Sequence, residues 1–322
     1  MNDVLHYDEV TAAVGRIAGQ VRPLVVAPLD RPAPDGGSVW WGLEHLQHTG
    51  SFKARGAQNF LLAHRAAGTL PAAGVTIASG GNAGLACAWA ARQQGVPATV
   101  FLPETAPEVK VARLGGYGAE VRLVGSEYAE AQAACQEFVA TTGALASHAY
   151  DDVLIAAGAG TVLEEFRARV PELDTIVVAV GGGGLFAGVA AAAQKHGIHV
   201  LAAEPEECCA LTAAVRAGRP VDVTVDSVAA DSLGARRASA RALHAAQQDG
   251  VHCVTVPDSA IVRARRTLWA EHRIAVEHAA ATALAAWDAW QHRPDDDRRE
   301  RGGGATGIVL CGANTDVRTL VD

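Results

Sequence analysis

The sequence predicts an α/β protein with two lobes, and three observations lead to that prediction. Apolar runs with the length of buried strands alternate along most of the chain with Ala-rich segments that show helical periodicity. Strands that alternate with helices at this spacing are typical of parallel sheets. The chain has 322 residues, and this length exceeds the usual size of one domain, about 100 to 200 residues. Of these residues, 49% are hydrophobic.

The alternation begins after an entry region. We expect a strand at 23–26, a Pro- and Gly-rich turn at 31–37, an apolar segment at 39–41, and a helix at 52–67. The regular part of the pattern predicts strands at 75–78, 98–102, 120–124, 175–180 and 198–203, and helices at 82–94, 107–114, 127–142, 153–169, 185–196 and 208–217.

The pattern is weaker beyond Gly218. We expect an extended segment at 222–231, helices at 233–248, 259–271 and 275–291, and strands at 251–256 and 307–311. Residues 293–304 combine proline, three consecutive aspartates, several arginines and the run Gly302, Gly303 and Gly304. That composition predicts a surface loop, to which we assign no function.

The composition favours a small-molecule ligand. A net charge of -8 and a pI near 5.8 argue against nucleic acid or an anionic membrane as the partner. The first twenty residues lack the apolar core of a signal peptide, and no later stretch has the length of a membrane span. Cysteines without paired spacing predict reduced thiols in a cytoplasmic protein, and histidines without a metal motif make a catalytic zinc improbable. The six cysteines are Cys87, Cys135, Cys208, Cys209, Cys253 and Cys311.

Lys53 is the candidate functional amine of the chain. It lies in residues 48–56 (HTGSFKARG) next to small and apolar side chains, so it does not belong to a solvated basic face. A lysine amine becomes a nucleophile or base near neutral pH only when burial or neighbouring charge lowers its pKa from about 10.4. Lys53 also begins a predicted helix, where the macrodipole disfavours a cation unless an anionic group is brought there.

Four consecutive glycines, Gly181, Gly182, Gly183 and Gly184, lie between a predicted strand and a predicted helix. Ordering them costs roughly 2 to 4 kcal/mol more than ordering alanines, but in this position backbone N–H groups and a helix N-terminus form a phosphate site. We therefore favour phosphate binding over a flexible linker. No P-loop lysine follows the tetraglycine, and its glycines do not have the GxGxxG spacing. A phosphate site and an isolated lysine together predict a cofactor with a phosphate and an aldehyde, and pyridoxal phosphate meets that description.

Four motifs follow one another along the chain. They are residues 51–56 (SFKARG), residues 79–84 (SGGNAG), the tetraglycine followed by Leu185, and residues 311–314 (CGAN). In this order they resemble the motifs of the serine/threonine dehydratases, which are pyridoxal-phosphate enzymes of the tryptophan synthase β type, or fold type II. The resemblance extends from about Pro23 to Asn314. It implies two parallel-sheet α/β domains with the cofactor in the cleft between them, a large domain of residues 1–53 and 146–322 and a small domain of residues 54–145.

The resemblance implies a role for each matching residue. Lys53 would form a Schiff base with the cofactor and, once released by the substrate amine, would take the Cα proton. Phe52 would pack on the pyridine ring, although an ordinary core position remains open. Asn82 would hydrogen-bond the ring hydroxyl, or could serve only as a helix N-cap. The turn that contains Ser79, Gly81, Asn82 and Ala83 would bind the substrate carboxylate.

Three positions narrow the chemistry that the resemblance implies. Cys311 would lie beside the pyridine nitrogen, where a neutral partner favours prompt loss of a β-substituent; a buried apolar cysteine is the alternative. Gly80 stands where the serine racemases carry a serine that acts on the opposite face of the substrate. Ala83 stands where many threonine dehydratases carry histidine. We therefore expect dehydration rather than racemisation, as in the catabolic serine dehydratases.

Two acids also match family positions. Glu204 matches an acid that helps to hold a cation, with further oxygens from the positions of Cys208 and Ala210. Because Ala210 has no side-chain oxygen, a divalent ion is disfavoured, and a monovalent cation with backbone ligands remains open. Glu277 matches a glutamate close to the cofactor, and a structural acid is the alternative.

The sequence thus predicts a pyridoxal-phosphate-dependent lyase that dehydrates and deaminates L-serine, L-threonine or a related 3-hydroxy amino acid to a 2-oxo acid and ammonia. Elimination or replacement at the β-carbon of another amino acid, such as a bulkier 3-hydroxy amino acid or an activated serine, is the alternative. A non-catalytic amino-acid binder is a further one. The resemblance also leads us to expect a homodimer and, because the chain ends soon after its last strand, no regulatory domain.

Overall fold

Two largely parallel β-sheets organise the chain. The computed structural model describes residues 4–30, 36–292 and 304–320. Its helices are α1 (Tyr7–Ile17), α2 (Lys53–Ala66), α3 (Asn82–Gln94), α4 (Glu108–Gly116), α5 (Tyr128–Thr142), α6 (Val153–Arg169), α7 (Gly184–His196), α8 (Ala210–Ala217), α9 (Ala230–Leu233), α10 (Ala240–Ala246), α11 (Asp258–His272) and α12 (His278–Gln291). Its strands are β1 (Val26–Leu29), β2 (Val39–Gly42), β3 (Val75–Ala78), β4 (Ala98–Leu102), β5 (Glu120–Leu123), β6 (Leu145–Ala146), β7 (Leu173–Ala179), β8 (His199–Pro205), β9 (Val251–Val256) and β10 (Ala305–Val309).

The larger sheet has six strands in the order β1-β2-β10-β7-β8-β9. Neighbouring strands are parallel except for the edge pair of β1 and β2, which is antiparallel. Helix α12 packs against β7, β8 and β9, and α7 packs against β7 and β8. Because helices contact the central strands, residues such as Ile176, Val177 and Val178 are all fully buried, and this explains why the strands read as continuous apolar runs.

The smaller sheet has four parallel strands in the order β5-β4-β3-β6. Helices α3 and α5 pack against β3 and β4. Helix α2 packs against both α3 and α6, and so joins two layers, the smaller sheet with its helices and the larger sheet with its helices. The predicted α/β class with two parallel sheets is confirmed. The domain boundaries at 53/54 and 145/146 stay a prediction; the strands of the smaller sheet lie between residues 75 and 146.

Glycines allow α6 and α7 to pack with their backbones in close contact. A Cβ on Gly188 would lie 2.1 Å from the carbonyl oxygen of Ala156, and a Cβ on Gly160 would lie 2.6 Å from the carbonyl oxygen of Gly188. No side chain fits at either position. This close contact holds α7 at a fixed distance from α6, and with it the tetraglycine turn from which α7 begins.

The structure corrects several predicted elements. Helix α1 was not predicted, although Val10, Ala13 and Ile17 are buried at helical spacing along one face. The single helix predicted at 233–248 is wrong, because α9 ends at Leu233 and α10 begins only after Ser239, whose hydroxyl accepts a hydrogen bond from the N–H of Ala242. The extended segment predicted at 222–231 forms no strand.

Smaller differences concern the ends of elements. The entry strand lies at 26–29 instead of 23–26, the last strand begins at 305, and the two-residue strand β6 was not predicted. Residues 31–35 of the predicted turn and residues 293–303 of the predicted loop, which include Gly302 and Gly303, lie outside the described residues. None of the helices described has the length and apolar composition needed to cross a membrane.

Candidate active site

A cavity of about 520 Å³ lies where parallel strands of both sheets end. Strands β3, β4, β7 and β10 all point their carboxyl ends toward it, which is where ligands bind in α/β sheets. The structure brings all of the predicted cofactor and substrate residues to its wall. They are Phe52, Lys53, Ser79, Gly81, Asn82, Ala83, Gly181, Gly182, Gly183, Gly184 and Cys311, and Gly80 and Glu277 lie beside them.

Lys53 presents its amine to this cavity. It is the first residue of α2, and its Nζ donates a hydrogen bond of 2.9 Å to the carbonyl oxygen of Ala149. Burial lowers the pKa of Lys53 to about 8, and the nearby Cys311 and Glu277 oppose that shift. A substantial fraction of the amine is therefore neutral near physiological pH, as a nucleophile or general base requires.

The tetraglycine forms a turn that no other residue type could form. Gly183 is the N-cap of α7 at a φ of 96°, and a Cβ on it would lie 2.3 Å from the Cβ of Ala242. A Cβ on Gly182 would lie 2.3 Å from the ring of Tyr150. The first N–H groups of α7 have no acceptor within the helix. Together with the positive end of the helix dipole, they make this turn suitable for a phosphate.

The turn after β3 holds Asn82 in an orientation set by two distant residues. The N-cap of α3 is Gly81, so Asn82 does not cap the helix. Its Nδ2 donates to both carboxylate oxygens of Glu277 at 2.9 and 3.1 Å, and its Oδ1 accepts from the Nδ2 of Asn314 at 2.6 Å. Asn82 is thus part of a polar network across the cleft.

Ser79 and Gly84 shape the start of α3. The Ser79 hydroxyl accepts a hydrogen bond of 3.4 Å from the N–H of Gly81. A Cβ on Gly84 would lie 1.8 Å from the carbonyl oxygen of Ser79, so this tight turn requires glycine. With Ala83 in the first turn of the helix, the segment offers backbone N–H groups and a hydroxyl to an anion such as a carboxylate.

Cys311 and Glu277 lie on the wall near Lys53. Burial raises the pKa of the Cys311 thiol, so the thiol stays neutral at physiological pH. Burial also raises the pKa of Glu277, to about 7, although hydrogen bonds from Asn82 and the Asn314 N–H favour the charged form. The site thus contains one neutral thiol and one carboxylate that can exist in either protonation state.

Phe52 and Gly80 occupy different parts of the wall. The ring centroid of Phe52 lies 4.9 Å from the Nζ of Lys53, and the N–H of Phe52 donates to the carbonyl oxygen of Cys311 at 3.0 Å. A Cβ on Gly80 would lie 2.9 Å from the Cδ2 of Leu102. There is thus no free space for even a small side chain at position 80 unless Leu102 moves.

Glu204 lies outside this cavity. Its carboxylate is fully buried and accepts hydrogen bonds from the N–H of Leu211 at 2.7 Å and from the N–H and hydroxyl of Thr212 at 2.8 and 2.7 Å. These bonds cap α8, and burial raises the pKa of Glu204 to about 7. Within the described parts of the chain, no group of three His, Cys, Asp or Glu side chains is placed to hold a metal. A monovalent cation near Glu204 stays a prediction.

Sequence reasoning assigned no role to several residues of the site. Asn314 belongs to the 311–314 motif, which indicates that it lies near the site but does not indicate its role. Ala149 and Tyr150, which contact Lys53 and the tetraglycine, belong to no motif. Lys110 of α4 and Asp231 of α9 line the cavity and form an ion pair of 2.7 Å, and only the packing of the two layers brings them together.

Comparison with known proteins identifies clear relatives. Residues 17–312 match the family model described as "Pyridoxal-phosphate dependent enzyme". The chain is similar to the L-threonine ammonia-lyase of Geobacter sulfurreducens, with 36% identity over 88% of this chain and 68% of the relative. It is 38% identical to a human protein named "Serine dehydratase-like", over 77% of this chain and 76% of that protein. The solved structure of maize serine racemase superposes with a TM-score of 0.88 at 30% identity, covering 98% of this chain and 96% of that one.

Proposed function

This chain belongs to the pyridoxal-phosphate-dependent enzymes, and we propose that it dehydrates and deaminates L-serine, L-threonine or a related 3-hydroxy amino acid to a 2-oxo acid and ammonia. The match of the family model confirms the resemblance inferred from the four motifs, and it makes pyridoxal phosphate the cofactor. One observation carries the proposed reaction. The amine of Lys53, whose pKa is lowered to about 8, shares a cavity with the tetraglycine turn. The residue at position 80 of the same cavity is glycine.

The residues of the cavity fit this cofactor. The tetraglycine turn at the start of α7 suits its phosphate, and the amine of Lys53 suits its aldehyde. Asn82 would donate to the ring hydroxyl, Cys311 would lie at the ring nitrogen, and Phe52 would pack on the ring. When bound, pyridoxal phosphate supplies an electron sink for the charge left on Cα after deprotonation.

The side chains then divide the remaining work. The N–H groups and hydroxyl of the turn at Ser79, Gly81, Asn82 and Ala83 would hold the substrate carboxylate, which orients the Cα–H bond. Lys53, once free and neutral, would remove the Cα proton. Cys311 remains a neutral thiol at physiological pH and cannot protonate a ring nitrogen strongly, so it supports rapid loss of the β-hydroxyl. Hydrolysis of the released enamine gives the 2-oxo acid and ammonia.

The fold alone does not separate elimination from racemisation, because a serine racemase is among the similar structures. Gly80 provides the distinction, since it supplies no acid or base and the Cδ2 of Leu102 fills the space next to it. The two relatives with higher identity are named threonine ammonia-lyase and serine dehydratase-like. Elimination or replacement at the β-carbon of another amino acid remains the second candidate, because the same amine, phosphate turn and carboxylate turn would serve it.

The test is incubation of the purified holoenzyme with L-serine and L-threonine, followed by measurement of 2-oxo acid and ammonia. We expect both products in equal amounts. The variant Lys53→Ala should lose both turnover and the visible absorption of cofactor bound through a lysine. Absence of product from every 3-hydroxy amino acid, together with normal cofactor absorption, would leave replacement or binding as the function. Turnover by Lys53→Ala would exclude the assigned role of Lys53.

Three further features are proposals with tests of their own. A monovalent cation near Glu204 predicts higher activity in potassium than in tetramethylammonium salts of equal ionic strength. A homodimer, expected from the family, predicts twice the chain mass in sedimentation equilibrium. A cytoplasmic location is supported by the six cysteines, all of which are free thiols; fractionation of the source cells would test it.

A further inference from the structure

Asn314 connects four separate segments around the cavity, three through its side chain and one through its backbone N–H. Its Nδ2 donates to the carbonyl oxygen of Thr49 at 2.7 Å and to the Oδ1 of Asn82 at 2.6 Å. Its Oδ1 accepts from the guanidinium of Arg113, and its backbone N–H donates to Glu277 at 3.2 Å. Asn82 and Arg113 belong to the layer of the smaller sheet, whereas Thr49 and Glu277 lie outside it. Asn314 thus bonds both sides of the cleft.

The partners of Asn314 leave its amide one orientation. A backbone carbonyl only accepts hydrogen bonds and a guanidinium only donates them. Thr49 therefore requires the Nδ2 of Asn314 on its side, and Arg113 requires the Oδ1 on the other. A rotated amide would place oxygen against oxygen at Thr49 and N–H groups against N–H groups at Arg113.

That orientation is passed on to Asn82. Because the Nδ2 of Asn314 donates to it, the oxygen of the Asn82 amide faces Asn314, and the Nδ2 of Asn82 faces Glu277. The carboxylate of Glu277 favours the same orientation, since it accepts hydrogen bonds. Asn82 consequently offers N–H donors, and no acceptor, to the part of the cavity next to Glu277.

The backbone places Asn314 at this point. The N–H of Ala313 donates to the carbonyl oxygen of Gly50 at 2.9 Å, and Gly312 forms an antiparallel bridge with Ser51. The chain that follows β10 therefore runs beside the residues that lead into Lys53. Gly50 has a φ of 77°, and a Cβ on it would lie 3.0 Å from the Oδ1 of Asn314, so the Asn314 side chain fills the space beside this turn.

We propose that Asn314 is a positioning residue of the active site, which holds the Asn82 amide with its N–H donors toward the ring oxygen of the cofactor. The role rests on the proposed function only in assigning Asn82 to that oxygen. Without Asn314 only the bonds to Glu277 hold the Asn82 amide, and rotation of the amide would turn its carbonyl oxygen toward the ring oxygen and repel it. The bond from Arg113 extends the same constraint to α4 on the far side of the cleft.

Two variants separate this role from simple packing. Asn314→Ala removes the donor and leaves space, whereas Asn314→Asp keeps the size but replaces the donor by an acceptor. If Asn314 orients Asn82, both variants should bind pyridoxal phosphate more weakly than the parent protein. The Asn314→Asp variant should bind it more weakly than the Asn314→Ala variant, and its affinity should fall by about tenfold or more relative to the parent protein. A packing role gives the opposite order, since aspartate fills the space.

The measurements are cofactor titration of the apoprotein and the pH dependence of the visible absorption band, and neither depends on turnover. Thr315→Val is the matched control, because the Thr315 hydroxyl bonds Arg265 and not Asn82; it should leave both measurements unchanged. If the Asn314 variants fail to fold, Arg113→Ala acts through the same amide and should weaken cofactor binding. Cofactor binding by Asn314→Asp that equals or exceeds that of Asn314→Ala would overturn the proposal, as would an unchanged affinity in Arg113→Ala.

The two conclusions can fail separately. If the parent protein forms no 2-oxo acid from any 3-hydroxy amino acid, the proposed function is wrong, while the order of cofactor affinities still tests Asn314. If the parent protein is active and the affinities follow the order expected from packing, only the role of Asn314 is wrong.

Discussion

The Nζ of Lys53 donates to the carbonyl oxygen of Ala149 across 96 residues of sequence, at 2.9 Å. The next residue, Tyr150, packs its ring against Gly182 of the tetraglycine turn. One short segment therefore contacts both the amine and the tetraglycine turn. The packing of residues 149 and 150 therefore helps to set the distance between these two parts of the cavity.

The pH dependence of cofactor uptake tests the environment of Lys53. Only the neutral amine attacks an aldehyde, and burial lowers the pKa of Lys53 to about 8. The rate at which the apoprotein acquires the visible cofactor band should rise as the pH increases toward about 8 and then level off, after correction for titration of the free cofactor. An unperturbed lysine would give a rate that continues to rise toward pH of about 10.4, and that result would contradict the assigned environment. Lys53→Ala, which should form no such band, is the control for other lysines.

Glycines at the two ends of α7 provide a matched pair. Gly183 and Gly197 both have positive φ, but a Cβ on Gly183 meets Ala242 at 2.3 Å, whereas nothing lies within 4 Å of a Cβ on Gly197. Gly197→Ala should cost about 1 kcal/mol of unfolding free energy from backbone strain and leave cofactor affinity unchanged. Gly183→Ala should weaken cofactor binding severely. Urea unfolding and cofactor titration measure the two effects, and equal cofactor affinity in both variants would argue against the phosphate turn.

Position 80 offers a test of reaction specificity. Gly80→Ser should destabilise the protein by about 1 to 3 kcal/mol through overpacking, because the new Cβ would lie 2.9 Å from the Cδ2 of Leu102. Adding Leu102→Val should relieve this contact and restore part of the stability. We expect the double variant, and not Leu102→Val alone, to convert some L-serine to D-serine, as detected by chiral chromatography. A double variant that is stable and active but forms no D-serine would show that a serine at this position is insufficient for racemisation.

Arg55 is the charged residue of the 51–56 motif whose replacement should lower the unfolding free energy most. Its guanidinium is fully buried and bonds Glu44 at 2.7 Å and Glu165 at 2.6 Å, and Glu44 is buried as well. Arg55→Met leaves the Glu44 carboxylate buried without a cation and should lower the unfolding free energy by about 3 to 5 kcal/mol in urea titrations.

Two variants serve as controls for Arg55. Arg237→Ala removes a solvent-exposed ion pair with Asp222 and should change stability little. Adding Glu44→Leu to Arg55→Met removes the buried charge and should recover part of the loss. A loss in Arg55→Met as small as in Arg237→Ala would mean that the buried ion pair adds nothing to stability.

Much of the fold and of the site could be predicted because the signals are local. Strand and helix periodicity identified the α-helices and strands between residues 75 and 217, except for β6, and the parallel arrangement of the sheets. The motifs contain eleven candidate residues, from Phe52 to Cys311, and all of them line the cavity. Prediction failed where the local signal was short or ambiguous: β6 has two residues, and the Ala-rich pattern after Leu233 conceals the break between α9 and α10. Helix α1 does carry a local signal, since its buried residues Val10, Ala13 and Ile17 recur at helical spacing.

The sequence by itself determined the α/β class, the family and a set of candidate site residues that line one cavity, because these depend on residue type and local spacing. Only the tertiary structure decided their environment. The lowered pKa of Lys53 comes from burial beneath segments about a hundred residues away in sequence, such as the one that contains Ala149. The orientation of Asn82 comes from Glu277 and Asn314, which are 195 and 232 residues away. Hydrogen bonds and desolvation depend on distance in space. The packing of the two layers therefore sets the pKa of Lys53 and the orientation of Asn82.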